Sequence, residues 1–152
     1  MRAELQWPAQ AAPRPVVIDT NIALDLLVFA DPACAALLQL LAGERLHWIA
    51  TQAMHDELAS VLRYPQLQPW LRRHALMDAQ VLQAWRARVE LLPGAPPAPM
   101  RCKDGDDQKF IDLAVAHQAA LLSKDKAVLR LRNRLRTAGV ATGSQLVLLQ
   151  AT

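Results

Sequence analysis

Residues 15–27, PVVIDTNIALDLL, decide the fold. Their apolar run, Val16 to Ile18, predicts a short buried strand, and the apolar spacing after Thr20 predicts a helix. Asp19 stands between the two, at the point where the strand ends. Because ligands of open α/β sheets bind at the carboxyl ends of the strands, Asp19 is a candidate functional residue.

The composition fits a single domain with a sizeable core. The chain has 152 residues, of which 53% are hydrophobic and 20% are charged, and no apolar run reaches the roughly 18 residues that span a bilayer. Residues 1–14 lack the apolar block of a signal peptide, and Cys34 and Cys102 lack disulfide or zinc spacing. We expect a soluble cytoplasmic protein without a membrane partner, with one domain over residues 15–152 and a poorly ordered N-terminal extension over residues 1–14.

Beyond residue 27 the pattern alternates between strands and helices. The predicted strands are 47–50, 89–92, 119–123 and 140–142. The predicted helices are 33–42, 51–63, one or two between 67 and 88, 106–117 and 126–137. Prolines in 93–99 predict a loop. This alternation favours an α/β fold with a mostly parallel sheet covered by helices on both faces.

Two further acids are directed towards the region of Asp19. Asp125 lies two residues beyond the apolar part of the predicted strand 119–123, which places it at the same carboxyl edge. Helical spacing of about 100° per residue puts Glu57 on the apolar face of its helix and its neighbour Asp56 on the opposite face.

The segment KDGDDQK, residues 103–109, contributes three more acids. Helical spacing places Asp107 on the apolar face of the following helix, in the first turn beside free backbone N–H groups, and directs Asp112 outwards. Asp104 and Asp106 compete with Asp107 for a role in the site.

Each carboxylate alone has an ordinary structural role. Asp107 can cap its helix, Asp19 can hold the turn at Thr20, and Glu57 can extend past the core to solvent. Together they would repel one another and raise one another's pKa values unless a cation lay among them. All-oxygen ligands favour Mg²⁺ or Mn²⁺ over zinc, and such an ion supports phosphodiester hydrolysis by lowering the pKa of a bound water.

A basic segment, RLRNRLR at residues 130–136, follows the last of these acids. On a continuous helix Arg130 and Arg134 share a face, and we expect this pair to contact the phosphates of RNA. The alternative is an ordinary solvated helix face.

Four motifs occur in a characteristic order: DTN at 19–21, HDELASVL at 55–62, KDGDDQKFIDLA at 103–114 and SKD at 123–125. Together they resemble the PIN-domain nucleases, a family that includes the VapC-type toxins. The resemblance covers residues 15–147. Gly105 departs from the family pattern because relatives often have proline there, and Gln118 departs because relatives often have glycine.

The resemblance implies a three-layer α/β/α sandwich and Mg²⁺- or Mn²⁺-dependent endonucleolytic cleavage of single-stranded RNA. It assigns catalysis and metal binding to Asp19, Glu57, Asp107 and Asp125. Supporting roles fall to Asn21, which would orient the first acid, to Ser123, which would organise the site, and to Asp104, which would bind a water ligand of the metal. In the toxin branch an antitoxin blocks the site and homodimers are common. We therefore expect the protein to be the toxin component of a toxin–antitoxin pair. Its expected partners are a cognate antitoxin and a second copy of itself in a homodimer.

Two other functional classes fit parts of the pattern. A phosphoacceptor signalling domain also places acids at strand ends with a hydroxyl and a lysine, here Asp19, Ser123 and Lys126. That fold requires two adjacent acids after its first strand, and this sequence has one. A non-catalytic PIN-like protein would keep the fold and bind RNA or an antitoxin.

Overall fold

A computed structural model describes residues 3–149. Its strands are β1 (Glu4–Pro8), β2 (Arg14–Ile18), β3 (Leu46–Ala50), β4 (Glu90–Leu91), β5 (Ala120–Leu122), β6 (Thr142–Gly143) and β7 (Gln145–Leu149). Its α-helices are α1 (Thr20–Leu27), α2 (Ala35–Ala42), α3 (Gln52–Leu62), α4 (Gln68–Arg73), α5 (Asp78–Arg88), α6 (Gln108–His117), α7 (Lys126–Leu129) and α8 (Arg132–Thr137). Short 3₁₀ helices precede α2 at Pro32–Cys34 and α6 at Gly105–Asp107.

The centre of the molecule is a five-stranded parallel sheet with strand order β4-β3-β2-β5-β6. β2 occupies the middle, where Val16 pairs with Trp48 of β3 and Ile18 pairs with Leu122 of β5. Such strands are apolar on both faces because helices cover the sheet, and Val16 and Val17 are fully buried. The expected α/β/α sandwich with a parallel sheet is confirmed.

Residues 3–14 contribute two strands to the fold, β1 and the start of β2. β1 pairs in parallel with β7, and the backbone N–H of Ala3 donates to Oγ of Ser144 at 2.7 Å. Trp7 is only 6% exposed. The expectation of a poorly ordered extension is therefore wrong for residues 3–14, while residues 1 and 2 lie outside the described part. The sequence did not predict this pairing, because β7, the partner strand of β1, lies at the other end of the chain.

Two local features differ from the sequence-based expectation. The predicted helix 126–137 is interrupted, because Leu131, with φ −90° and ψ 2°, separates α7 from α8. Gln118 ends α6 in the left-handed conformation, with φ 49°. Glycine adopts that conformation without strain, whereas a residue with a side chain such as glutamine does not.

Within residues 3–149, no single helix is long and apolar enough to cross a membrane. One bent pair, Thr20–Leu27 with Pro32–Ala42, meets the length and composition requirement jointly, at an angle of 102°.

Candidate metal centre at the carboxyl edge of the sheet

Asp19 lies where β2 passes into α1. Its backbone N–H donates to the carbonyl of Leu122 at 2.9 Å, and its Oδ1 accepts the backbone N–H of Ile22 at 3.1 Å, which caps α1. Its Oδ2 accepts the hydroxyl of Ser123. The residue is only 3% exposed, and this burial raises the pKa of Asp19, while the bond from Ser123 acts in the opposite direction.

Ser123 and Asp125 follow the neighbouring strand β5. Ser123 is fully buried, and its backbone N–H donates to the carbonyl of Gly143 at 3.0 Å. Its hydroxyl oxygen also accepts the backbone N–H of Asp125 at 3.1 Å. Asp125 in turn caps α7, because its Oδ1 accepts the N–H of Ala127 at 2.7 Å. The turn from β5 to α7 is thus fixed by side-chain hydrogen bonds, and the expected convergence of Asp19 and Asp125 at one sheet edge is observed.

Three acids form a compact cluster at this edge. Asp104, Asp107 and Asp125 each contribute a carboxylate oxygen, and the three oxygens lie within 4.8 Å of one another. Oδ2 of Asp107 is buried and has no hydrogen-bond partner among residues 3–149. Burial, followed by the carboxyl groups of Asp125, Asp104 and Asp19, raises the pKa of Asp107 to about 7.

This donor set fits a divalent cation. A cation among the carboxylates would remove their repulsion and give the unpartnered oxygen of Asp107 a ligand role. Carboxylate oxygens are the ligands that Mg²⁺ and Mn²⁺ prefer. Asp107 does not use its side chain to cap α6, so the ordinary role considered for it is absent. Asp104 caps the preceding 3₁₀ helix with one oxygen, which accepts the N–H of Asp106 at 3.0 Å.

Gln108 and Asp112 hold the loop before the cluster, and the sequence patterns did not identify either residue as part of the site. Gln108 donates to the carbonyl of Met100 at 3.1 Å and to Oδ1 of Asp112 at 2.9 Å, and it accepts the N–H of Cys102 at 2.6 Å. Asp112 also accepts the N–H of Ala98 at 2.8 Å. Asp112, which was predicted to point outwards, is half-buried, because the proline-rich loop covers that face of α6.

Glu57 lies beside the cluster but binds other partners. Its Oε1 accepts a hydrogen bond from Nζ of Lys109 at 2.6 Å, and its Oε2 accepts the hydroxyl of Thr20. Lys109 also donates to the carbonyl of Asp106. The Glu57 side chain is 25% exposed and that of Asp56 is 68% exposed, so the predicted contrast between these neighbours is confirmed. The structure adds Thr20 and Lys109 to the site, and their only sequence signal is that Thr20 directly follows Asp19 and Lys109 lies two residues after Asp107.

Asn21 does not support Asp19 as the resemblance implied. Asn21 is exposed, and the carboxylate oxygens of Asp19 accept from Ile22 and Ser123 instead. Within the described residues no hydrogen bond joins Asn21 to Asp19. Ser123 therefore has the orienting role here.

The arginines of residues 130–136 are exposed but lie on two helices. Arg130 directly follows α7 and Arg134 lies in α8, so the break at Leu131 removes the continuous helix on which their shared face depended. Arg132 and Arg136, both in α8, line one groove that also includes Arg14 at the start of β2.

Comparison with known proteins supports the assignment of the fold. An uncharacterized protein, MJ1680, of Methanocaldococcus jannaschii is 26% identical over 120 residues, which cover 78% of this chain and 75% of that protein. The crystal structure of VapBC2 from Rickettsia felis, bound to a DNA fragment from their promoter, has a TM-score of 0.56 and 14% identity. That likeness covers 90% of this chain and 98% of the other, and at such identity it concerns the fold alone.

The family model of the PIN domain matches residues 15–127. The match begins at the strand that leads to Asp19 and extends past Asp125, so it contains the whole acidic cluster. Together with the parallel sheet and its capped strand ends, it establishes that the chain belongs to the PIN-domain family.

Proposed function

We propose that the protein is a Mg²⁺- or Mn²⁺-dependent endoribonuclease that hydrolyses phosphodiester bonds of single-stranded RNA. The observation that carries this proposal is the cluster of Asp104, Asp107 and Asp125 within 4.8 Å in a PIN domain. A divalent cation held there supplies an electrophile for the phosphate and lowers the pKa of a bound water.

The burial and hydrogen bonds of each acid determine the role that we propose for it. Asp107 and Asp125 offer ligand oxygens directly, and Asp107 must release its proton before it can do so, since its pKa lies near 7. Asp19 contributes negative charge from a buried position that Ser123 fixes. Glu57 completes the set of four acids once it leaves its contact with Lys109. Arg130 and Arg134, exposed beyond Asp125, are the proposed contacts to RNA phosphates.

A toxin role in a toxin–antitoxin pair extends the proposal. Its support is the likeness to VapBC2, whose fold covers 90% of this chain. A cognate antitoxin would then be the protein partner, and a homodimer is the proposed assembly.

A non-catalytic PIN-like protein that binds RNA or an antitoxin is the second candidate. The contact between Lys109 and Glu57 favours it, because an acid neutralised by lysine is withheld from a metal. The phosphoacceptor alternative is disfavoured because Asp19 is 3% exposed and both its oxygens are hydrogen-bonded.

Cleavage of labelled RNA by the purified protein distinguishes these candidates. We expect single-stranded RNA to be cleaved with Mg²⁺ or Mn²⁺, and double-stranded RNA and single-stranded DNA of the same sequence to remain intact. Excess EDTA should stop cleavage. Asp19→Asn should lower the rate by about 100-fold or more, since a buried negative charge is removed from beside the metal site.

The matched control is Asp31→Asn. Asp31 also caps a helix, because its Oδ1 accepts the N–H of Ala33 at 2.9 Å, but it lies outside the acidic cluster. We expect that variant to cleave at the wild-type rate. Full cleavage in EDTA would refute the metal mechanism, and RNA binding without cleavage would select the non-catalytic alternative.

A further inference from the structure

We infer that Lys109 is a built-in counter-ion of Glu57 and competes with the divalent cation for this carboxylate. The inference rests on the metal site of the proposed function. Lys109 thereby sets how readily the fourth acid joins the site, and it is a positioning residue.

The contact between the two residues is close and sheltered. Nζ of Lys109 lies 2.6 Å from Oε1 of Glu57, and each side chain is 25% exposed. Partial burial strengthens the attraction, because the effective dielectric constant is lower than in bulk water. Oε2 of Glu57 accepts from the Thr20 hydroxyl, so both oxygens of the carboxylate are occupied.

The position of Lys109 links this pair to the acidic cluster. Lys109 lies in the first turn of α6, directly after the loop that contains Asp104 and Asp107, and its ammonium group also donates to the carbonyl of Asp106. A divalent cation bound by the cluster would therefore compete with Lys109 for the Glu57 carboxylate. Because one carboxylate oxygen serves either cation, occupation of the cluster weakens the pair, and the pair weakens occupation of the cluster.

Two arrangements of Glu57 follow from this competition. In one, the carboxylate pairs with Lys109, as the structure has it. In the other, it faces the cation and Lys109 turns to solvent or to an anionic group of the substrate. The Thr20 hydroxyl lies at the start of α1, next to Asp19, and can hold the other oxygen in both arrangements.

The test is Mn²⁺ affinity, measured by electron paramagnetic resonance of the unbound ion, in a double-mutant cycle of Lys109→Met and Glu57→Gln. We expect Lys109→Met to lower the Mn²⁺ dissociation constant by about two- to fivefold, the range set by a partly exposed ion pair. In the Glu57→Gln background the same substitution should change it by less than about twofold, because no carboxylate remains to be released. Lys109→Gln provides a second variant, and thermal unfolding in EDTA checks that every variant is folded.

Lys126→Met is the matched control. Lys126 is exposed, follows Asp125 directly and does not contact Glu57, and the substitution removes the same charge as Lys109→Met. An unchanged or weaker Mn²⁺ affinity in Lys109→Met overturns the inference. An equal gain in both Glu57 backgrounds, or an equal gain from Lys126→Met, also overturns it, because the effect would then be general charge rather than competition. Absence of Mn²⁺ binding by the wild type overturns it together with the metal site.

RNA cleavage, measured separately, distinguishes this inference from the proposed function. A wild type that binds Mn²⁺ with the expected Lys109 coupling but leaves RNA intact refutes the nuclease and preserves the counter-ion. Metal-dependent cleavage without the coupling refutes the counter-ion alone.

Discussion

Ser123 donates its hydroxyl hydrogen to Oδ2 of Asp19, so the first acid of the site is fixed by the neighbouring strand. The two residues meet because β2 and β5 are adjacent and parallel, with Ile18 opposite Leu122. The same hydroxyl oxygen accepts the N–H of Asp125. One fully buried hydroxyl thus holds acids from two strand ends in register.

Replacement of Ser123 by alanine tests this link. The substitution leaves a buried carboxylate without one of its donors, and we expect a loss of about 1.5–3 kcal/mol in the free energy of unfolding. Mn²⁺ affinity should fall by about 10- to 100-fold, as for other residues that orient metal ligands. Urea unfolding in EDTA and Mn²⁺ titration measure the two effects. Ser60→Ala, on the exposed side of α3, should change stability by less than about 0.5 kcal/mol.

The raised pKa of Asp107 predicts an unusual pH dependence of stability without metal. The folded protein keeps the Asp107 proton up to about pH 7, whereas an unfolded aspartate loses it near pH 4. Between these values the folded state binds more protons, so stability falls as pH rises. We expect roughly 1–2 kcal/mol to be lost in EDTA between about pH 5 and 8, after allowance for the partial exposure of the group.

Asp107→Asn isolates this effect, because the amide cannot titrate. The difference in stability between this variant and the wild type should shift in favour of the variant as pH rises. Stabilisation of the wild type by Mn²⁺ should instead increase with pH and be larger at pH 8, since metal binding requires the ionised carboxylate. A difference that is constant across this range would contradict the perturbed pKa.

The neighbours Asp56 and Glu57 provide an internal comparison. We expect Glu57→Gln to abolish metal-dependent cleavage and to lower metal-free stability by about 0.5–1 kcal/mol, because the partly exposed pair with Lys109 is lost. The metal-induced rise in melting temperature should also be smaller than in the wild type. Asp56→Asn should leave cleavage and the metal-induced rise unchanged. The reverse result would mean that Asp56, and not Glu57, serves the site.

The arginines of residues 130–136 predict a measurable salt dependence of RNA binding. Replacement of Arg130 and Arg134 by Gln should weaken binding and reduce the salt slope by about 0.7 for each lost phosphate contact. The paired replacement of Arg132 and Arg136 is the comparison, because these two side chains line the groove that includes Arg14, whereas Arg130 and Arg134 do not. An effect confined to that second pair would move the RNA path to the groove. Unchanged salt slopes in both double variants would mean that residues 130–136 are an ordinary solvated surface.

Features that depend on neighbouring residues in the chain were predictable from the sequence. The apolar run before Asp19 predicts both the strand and its end, and the helical direction of Glu57 follows from spacing within one helix. Asp125 is placed correctly because its strand and its cap are local. These predictions required only the periods of strands and helices.

Features that depend on what lies opposite a residue were not predictable. The outward direction of Asp112 could be predicted, but its cover by the loop through Ala98 could not. Glu57 meets Lys109, 52 positions further along the chain, only because α3 lies near the start of α6 in the fold. The break at Leu131 arises within an uninterrupted helical pattern.

The pairing of β1 with β7 constrains the order in which the chain folds. Ala3 bonds to Ser144, 141 residues further along the chain, so a ribosome-bound chain must wait for almost the whole domain before its first strand finds a partner. Contacts of such sequence separation slow folding, because a long loop is closed before any contact compensates for the lost entropy. Gly143 is also packed against Leu5, where an added Cβ would lie 2.8 Å from the leucine side chain. We therefore expect β1 to pair with β7 late in folding, with Trp7 exposed to chaperones and proteases until then.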